Sequence, residues 1–154
     1  MQHILFVCTG NTCRSSMAEA IFKNLLVSEG IEDVDVSSAG TFALPGSPAT
    51  PEAVEALTGW GIDLNSHKAR LLSPEMVREV DLVLTMTARH KATVLEMVPD
   101  AKDKVFTVSE YAGLAGDIPD PIGKPVFFYR QYAEEIRRLC RVVLRRFLSE
   151  REKN

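Results

Sequence analysis

The chain of 154 residues is long enough for one domain with a sizeable core. An apolar fraction of 45%, a charged fraction of 25% and a net charge of −3 favour neither nucleic acid nor a membrane as a partner. Three cysteines, two of them in one short loop, are typical of reactive thiols in a reducing compartment. We therefore expect a cytoplasmic monomer in which residues 1–154 form a single domain.

Strands and helices alternate along the chain. Residues 4–7 are apolar on both faces, as expected for a buried parallel strand. Helical spacing follows at 15–28, and alternation at 33–38 predicts a second strand. Further strands are predicted at 81–86 and 104–107, and further helices at 51–57, 74–79, 87–98 and 126–150.

This order of elements predicts the fold. Strands that are joined through helices form parallel sheets with right-handed crossovers. We expect a three-layer α/β fold, in which a four-stranded parallel sheet in the order 2-1-3-4 has helices on both faces. Ligands bind such sheets beyond the carboxyl ends of the strands, where the order reverses, and Cys8 lies at that point. The apolar stripe of the last helix is predicted to comprise Tyr132, Ile136, Leu139, Val143 and Phe147.

The segment after the first strand has the features of an anion site. Gly10 and Asn11 tolerate left-handed backbone conformations, so the N–H groups of the loop can point inward beside the helix N-terminus. Arg14 adds a planar guanidinium that contacts two phosphate oxygens. We predict a phosphate-binding loop composed of Cys8, Thr9, Gly10, Asn11, Thr12, Cys13, Arg14 and Ser15.

Cys8 is the predicted nucleophile of this loop. A helix N-terminus and a nearby arginine favour the thiolate, which can attack phosphorus and form a phosphocysteine. Ser15 can donate a hydrogen bond to the sulfur atom. An isolated cysteine at a strand end would be assigned to the core, but the spacing to Arg14 favours catalysis. The sequence thus predicts a metal-independent phosphatase that releases inorganic phosphate and needs no cofactor.

The leaving group of this reaction needs a proton, and the glycine- and proline-rich loop at 112–125 contains two aspartates. Asp120 precedes Pro121, which favours an extended backbone that projects the carboxylate. An Asp-Pro pair alone is typical of an ordinary turn. We predict Asp120 as the general acid, with Asp117 as the second candidate.

These motifs resemble, over essentially the whole chain, the low-molecular-weight protein tyrosine phosphatase family. The resemblance implies Cys8 as nucleophile, Arg14 as phosphate clamp, and Asp120 as general acid and then base. It also implies that Asn11, Ser15, Ser38 and His67 brace the loop through hydrogen bonds. The matching segments are residues 7–15, 38–41, 66–70 and 120–121.

Two positions concern the choice of substrate. Tyrosine-directed members of the family commonly have isoleucine in place of Thr12, whereas bacterial protein-arginine phosphatases resemble this chain there. Tyrosine-directed members also usually have an aromatic residue after the Asp-Pro pair, where this chain has Ile122. We expect phosphoarginine in proteins as substrate, with Phe42 packing on the flat arginine side chain. Neutral drift at Thr12 in a phosphotyrosine phosphatase is the alternative.

The remaining candidates have competing interpretations. Cys13 is either a redox partner that forms a reversible disulfide with Cys8 or a small packing residue. Cys140 is expected in the core, and the three histidines lack metal-ligand spacing. A thiol-dependent arsenate reductase is disfavoured, because no cysteine lies between Cys13 and Cys140. A phosphate-binding module without hydrolysis would not need both Arg14 and a general acid.

Overall fold

The structure, a computed structural model, describes residues 1–153. Its strands are β1 (Gln2–Cys8), β2 (Val34–Gly40), β3 (Leu82–Thr85) and β4 (Val105–Thr107). Its α-helices are α1 (Arg14–Ser28), α2 (Pro51–Thr58), α3 (Pro74–Glu79), α4 (Ala88–Met97), α5 (Val108–Tyr111) and α6 (Val126–Glu152). A 3₁₀ helix connects α4 to β4 over Pro99–Lys104.

The sheet has the predicted topology. All of its strand pairs are parallel, and the order is β2-β1-β3-β4. Strand β1 therefore lies inside the sheet, and Val7 pairs with Ala39 on one side and Thr85 on the other. The carboxyl ends of all four strands meet at one edge, where β1 ends at Cys8.

Helices cover both faces of the sheet, because successive side chains of a strand point to opposite faces. Ile4 and Phe6 pack with apolar residues of α1, α2, α5 and α6 in one core cluster. Leu5 and Val7 pack with residues of α3 and α4 in the other. The three-layer prediction is confirmed. Among residues 1–153 there is no helix whose length and apolarity would let it span a membrane.

The helix starts follow local chemistry in the sequence. The hydroxyls of Thr50, Ser73 and Thr87 each accept a hydrogen bond from a backbone N–H in the first turn of α2, α3 and α4, respectively. Pro51 and Pro74 stand at the first helical positions, where a missing N–H costs nothing. Thus three of the helices begin within one residue of their predicted starts.

Three details differ from the prediction. Strand β2 extends two residues beyond the predicted end, to Gly40. The sequence pattern also missed helix α5 and the 3₁₀ helix, because elements of four to six residues are too short to show a period. In α6, Tyr129 rather than Tyr132 is fully buried, so the apolar stripe begins one turn earlier than predicted.

Candidate active site

The end of β2 supports the loop at residues 8–15 from behind. The N–H groups of Thr41 and Phe42 donate to the carbonyls of Cys8 and Thr9, each at 2.9 Å. A Cβ atom on Gly40 would lie 2.3 Å from the Thr9 carbonyl oxygen and 3.0 Å from the Asn11 nitrogen. Only glycine therefore fits where this strand passes the loop.

Asn11 is the internal brace of the loop. It is fully buried and has a left-handed backbone with φ of 58°. Its side-chain Oδ1 accepts from the N–H of Arg70 at 2.9 Å, and this fixes the orientation of the amide, because a backbone N–H can only donate. Nδ2 then donates to the hydroxyls of Ser15 and Ser38, each at 2.8 Å.

These bonds determine where the Ser15 proton points. Since Ser15 Oγ accepts from Asn11, its own O–H is free to donate to Cys8 Sγ, which lies 2.9 Å away. The N–H of Asn11 donates to the same sulfur at 3.3 Å. Two donors thus converge on Cys8 Sγ, as stabilisation of a thiolate requires.

The network extends to residues on three other segments. Ser38 Oγ donates to Glu19 Oε1 at 2.6 Å, and Glu19 also pairs with Lys23. The ring Nε2 of His67 bonds to the backbone oxygen of Asn11. The structure therefore brings together Asn11, Ser15, Ser38 and His67, as the resemblance implied. Glu19 was missed, because a glutamate on a helix gives no signal that distinguishes it from a surface residue.

Arg14 lies beside Cys8 and is almost completely buried. Its Nη1 donates to the Ile118 carbonyl at 3.0 Å, which fixes the guanidinium plane. Its Nη2 lies 3.6 Å from Asp120 Oδ2. The predicted clamp and the predicted acid thus face each other across one cavity.

The two aspartates of the loop at 112–125 have different surroundings. Asp120 lines the cavity, its side chain is half-exposed, and its Oδ1 accepts from the N–H of Ile122 at 3.0 Å. Asp117 instead accepts from the N–H of Ala88 at 2.9 Å, at the start of α4. Asp117 therefore anchors the loop to the helix N-terminus, where a carboxylate is favourable, while Asp120 remains free to act in the cavity.

The cavity itself is small. Its volume is about 100 Å³, enough for a phosphoryl group and little more. Phe42 is not among its lining residues; its side chain is exposed on the loop that follows β2. A groove of about 590 Å³ between α1 and the segment at 62–70 is larger, but Cys8 does not line it. The residues that line the small cavity are Cys8, Thr9, Gly10, Thr12, Cys13, Arg14, Asp120 and Ile122.

Cys13 differs from Cys8 in its environment. Its Sγ lies 3.6 Å from Thr50 Oγ1 and 3.7 Å from Tyr129 Oη, and burial raises the pKa of its thiol. Cys140 is completely buried, as predicted, and burial raises its pKa further. Within residues 1–153 the three cysteines are unbridged.

His90 is a second buried group that the sequence interpretation missed. Its Nε2 lies 2.8 Å from Thr9 Oγ1, and its Nδ1 lies 3.0 Å from Thr87 Oγ1. Burial, with a smaller contribution from the charge of Arg14, lowers the pKa of His90 to about 4. The imidazole is therefore neutral at pH 7. Among residues 1–153, no three His, Cys, Asp or Glu side chains are grouped as metal ligands would be.

Comparison with known proteins identifies the class to which this arrangement belongs. The family model described as low molecular weight phosphotyrosine protein phosphatase matches residues 3–153. A protein-arginine-phosphatase of Bacillus subtilis is 46% identical over 149 residues, which are 96% of this chain and 98% of that protein. The low molecular weight protein-tyrosine-phosphatase PtpB of Staphylococcus haemolyticus is 37% identical over 133 residues, 86% of this chain and 91% of that protein.

A solved structure agrees in both fold and sequence. The arginine phosphatase YwlE, in a cysteine-to-serine mutant with a phosphorylated active-site serine, superimposes with a TM-score of 0.93 at 44% identity. The match covers 99% of this chain and 100% of that one. The chain therefore belongs to the low molecular weight phosphotyrosine protein phosphatase family. It is a protein phosphatase that depends on a cysteine.

Proposed function

We propose that this phosphatase hydrolyses phosphoarginine residues in proteins, with Cys8 as nucleophile, Arg14 as phosphate clamp and Asp120 as proton donor. The preference for arginine depends on Thr12, a residue with a side-chain hydroxyl that lines the cavity of about 100 Å³. Similarity over nearly the whole chain to the protein-arginine-phosphatase of Bacillus subtilis and to a solved structure of the arginine phosphatase YwlE supports the same choice.

The first half of the reaction transfers the phosphoryl group to the protein. The thiolate of Cys8 attacks phosphorus, the P–N bond to the substrate guanidinium breaks, and Asp120 gives its proton to the leaving nitrogen. Inward-facing N–H groups of the loop and the guanidinium of Arg14 bind the phosphoryl oxygens. The product is a phosphocysteine, and the corresponding serine is phosphorylated in the mutant YwlE structure.

The second half regenerates the thiolate. Asp120, now a carboxylate, takes a proton from a water molecule, whose oxygen attacks phosphorus and displaces Cys8 Sγ. Ser15 O–H, 2.9 Å from that sulfur, stabilises the leaving thiolate. Inorganic phosphate leaves, and neither a metal nor a cofactor takes part in these steps.

We infer that Thr12 and Asp120 together recognise the leaving group of a phosphoarginine substrate. A phosphoarginine presents a planar, polar guanidinium at the mouth of the cavity, and a carboxylate can pair with it. The Thr12 hydroxyl can hold the phosphoramidate or a water molecule in a way that an aliphatic side chain cannot. Exposed Phe42, on the adjoining loop, offers a ring on which the arginine side chain can stack.

A phosphotyrosine phosphatase is the second candidate. The matching family model and PtpB, at 37% identity, favour it. Ile122, which lines the cavity, also offers an apolar contact to a phenyl ring. Under either candidate function, the partners are phosphorylated proteins. We propose that the protein is a cytoplasmic monomer. We also propose that Cys13 can form a disulfide with Cys8 that protects the nucleophile from further oxidation.

The mechanism is tested with para-nitrophenyl phosphate in the presence of a chelator. We expect turnover by the parent chain and none by Cys8→Ser. Cys140→Ala is the matched control, since it removes a thiol distant from the loop. Activity that survived in Cys8→Ser would exclude Cys8 as the nucleophile.

The preference for phosphoarginine over phosphotyrosine is tested with peptides that differ only in the phosphorylated residue. We expect the parent to favour phosphoarginine in kcat/KM, and Thr12→Ile to shift the ratio by roughly tenfold or more toward phosphotyrosine, the range of one lost polar contact. Thr12→Ser, which retains the hydroxyl, should keep the parent's ratio. An unchanged ratio in Thr12→Ile would remove the basis for arginine preference.

A further inference from the structure

The hydroxyl of Thr9 contacts both His90 and Arg14, and the proposed mechanism assigns no role to the Thr9 or His90 side chains. Thr9 Oγ1 lies 2.8 Å from Nε2 of buried His90 and accepts a hydrogen bond from Arg14 Nη2 at 3.5 Å. The same residue lines the cavity beside Cys8. It stands 81 positions before His90 in the chain, so this contact exists only in the fold.

Both ring nitrogens of His90 face a hydroxyl group, and which of the two hydroxyls donates depends on the tautomer of the ring. Thr87 Oγ1 accepts from the backbone N–H of His90 at 3.2 Å and lies 3.0 Å from Nδ1. When Thr87 gives its hydroxyl proton to Nδ1, the imidazole proton is on Nε2 and is donated to Thr9 Oγ1. Every polar group of the His90 ring then has a partner. A pKa lowered to about 4 keeps this ring neutral at pH 7.

This tautomer of His90 determines which acceptors remain for the Thr9 hydroxyl proton. Thr9 Oγ1 then accepts two hydrogen bonds, from His90 Nε2–H and from Arg14 Nη2–H, which occupy both of its lone pairs. With this tautomer, the O–H of Thr9 has no acceptor among residues 1–153, and Thr9 is one of the residues that line the cavity. An anion in the cavity supplies the missing acceptor.

We propose that the Thr9 side chain is a further phosphate-binding residue, whose O–H donates to a phosphoryl oxygen, and that His90 is a positioning residue which orients that hydroxyl. This donor acts in addition to the backbone N–H groups of the loop. The inference rests on the phosphatase site of the proposed function but is independent of whether arginine or tyrosine is the leaving group. Phosphate affinity, not only turnover, therefore depends on the Thr9 hydroxyl.

The test measures the inhibition constant of inorganic phosphate against para-nitrophenyl phosphate, together with KM and kcat. In Thr9→Val, which keeps the shape and removes the hydroxyl, we expect the constant for phosphate and KM to rise roughly 10-fold or more, the effect of a hydrogen bond to a charged group. Thr9→Ser should remain within about threefold of the parent. Thr58→Val, on the exposed side of α2, is the matched control and should behave as the parent.

A double-mutant cycle separates positioning from plain structural support. His90→Leu should raise the phosphate constant by about three- to tenfold in the parent but by less than about twofold in Thr9→Val, because the group through which His90 acts is then absent. His90→Gln, which retains a donor, should recover part of the loss. Thermal unfolding confirms that each variant is folded.

Three outcomes would overturn the proposal. An unchanged phosphate constant in Thr9→Val would mean that the hydroxyl does not bind phosphate. If Thr9→Ser weakened phosphate binding as much as Thr9→Val does, the methyl group rather than the hydroxyl of Thr9 would be responsible. Equal effects of His90→Leu in both backgrounds would show that His90 does not act through Thr9. Turnover that persists in Cys8→Ser would contradict the proposed mechanism but none of these affinity results.

Discussion

At the scale of single residues, Gly40 is the glycine with the least space for a side chain. A Cβ atom there would approach the Thr9 carbonyl oxygen to 2.3 Å, and that oxygen belongs to the catalytic loop. We expect Gly40→Ala to displace the loop and lower kcat/KM by about 100-fold, since a misplacement of about 1 Å has that effect. Steady-state kinetics with para-nitrophenyl phosphate measures this change.

Gly59 provides the control for that substitution. It has an ordinary helical φ of −61°, and no atom lies within 4 Å of an added Cβ. Gly59→Ala should therefore keep full activity, and its unfolding temperature should rise slightly because alanine restricts the unfolded chain more than glycine does. Equal activities of the two alanine variants would contradict the assigned role of Gly40.

His90 gives the stability of the protein a dependence on pH. Its pKa is lowered from 6.5 to about 4 in the folded chain, so between these values the unfolded chain binds a proton that the folded chain does not. The contribution of His90 to the free energy of unfolding is therefore fully present above pH 6.5, and it falls as the pH drops toward 4. The slope contributed is at most that of one proton, about 1.4 kcal/mol per pH unit.

Urea unfolding at several pH values between 4.5 and 7.5 tests this dependence. In His90→Gln the slope over that window should be shallower than in the parent, because the titrating group is absent. The carboxylates contribute equally to both chains. Parallel curves for the two proteins would mean that His90 is not protonated on unfolding.

The sequence was sufficient to propose chemical roles for individual residues, but it did not reveal most of their contacts. The motif at residues 8–15 indicated a nucleophile and a phosphate clamp because both proposed residues, Cys8 and Arg14, lie within one short segment. His90 and Glu19 were missed because each reaches the loop from a helix whose sequence has no local feature that marks the contact. The amide of Asn11 likewise bonds to the N–H of Arg70, 59 positions away.

At the scale of elements, a hydrogen bond that the Asp117 side chain accepts attaches the loop at 112–125 to α4, and a substitution can remove this bond. Asp117 Oδ1 accepts from the N–H of Ala88, one of the N–H groups that the helix itself leaves unpaired. We expect Asp117→Ala to loosen the loop and lower kcat by about three- to tenfold through misplacement of Asp120. The phosphate inhibition constant should change little, because Asp117 does not line the cavity.

Asp117→Asn is the matched control, since its amide oxygen still accepts from Ala88. It should retain most of the parent's kcat. A kcat in Asp117→Ala equal to that of the parent would indicate that the loop is held sufficiently by its other contacts, such as the bond from Ile118 N–H to the Met86 carbonyl.

Strand β1 and three capped helices were predicted well, whereas the four-residue helix α5 was missed despite its capping Thr107. Helices α2, α3 and α4 have a Thr or Ser cap, and β1 is a continuous apolar run. The end of β2 was misplaced because Ala39 and Gly40 lack the alternation of the residues before them. That error concerns the strand end that supports the catalytic loop, where tertiary packing rather than side-chain pattern determines the conformation.

At the scale of the whole molecule, the order of strands was predictable because alternating strands and helices allow few topologies. The position of Asp120, the proposed acid, relative to Cys8, the proposed nucleophile, was harder to predict. It depends on how the loop at 112–125 returns to the carboxyl edge, and the contacts of Asp117 and Ile118 that determine this return involve α4, the end of β3 and Arg14.

The bond from Arg14 to the Ile118 carbonyl has a consequence for folding. It joins residues 104 positions apart, and β1 is tied to the segment before β3 across 78 positions. Because contacts so distant in sequence form late, the clamp is oriented only after most of the chain is ordered. During refolding from urea, we expect the recovery of phosphatase activity to lag behind the recovery of helical circular dichroism. Simultaneous recovery would mean that the catalytic loop is already organised in the earliest compact state.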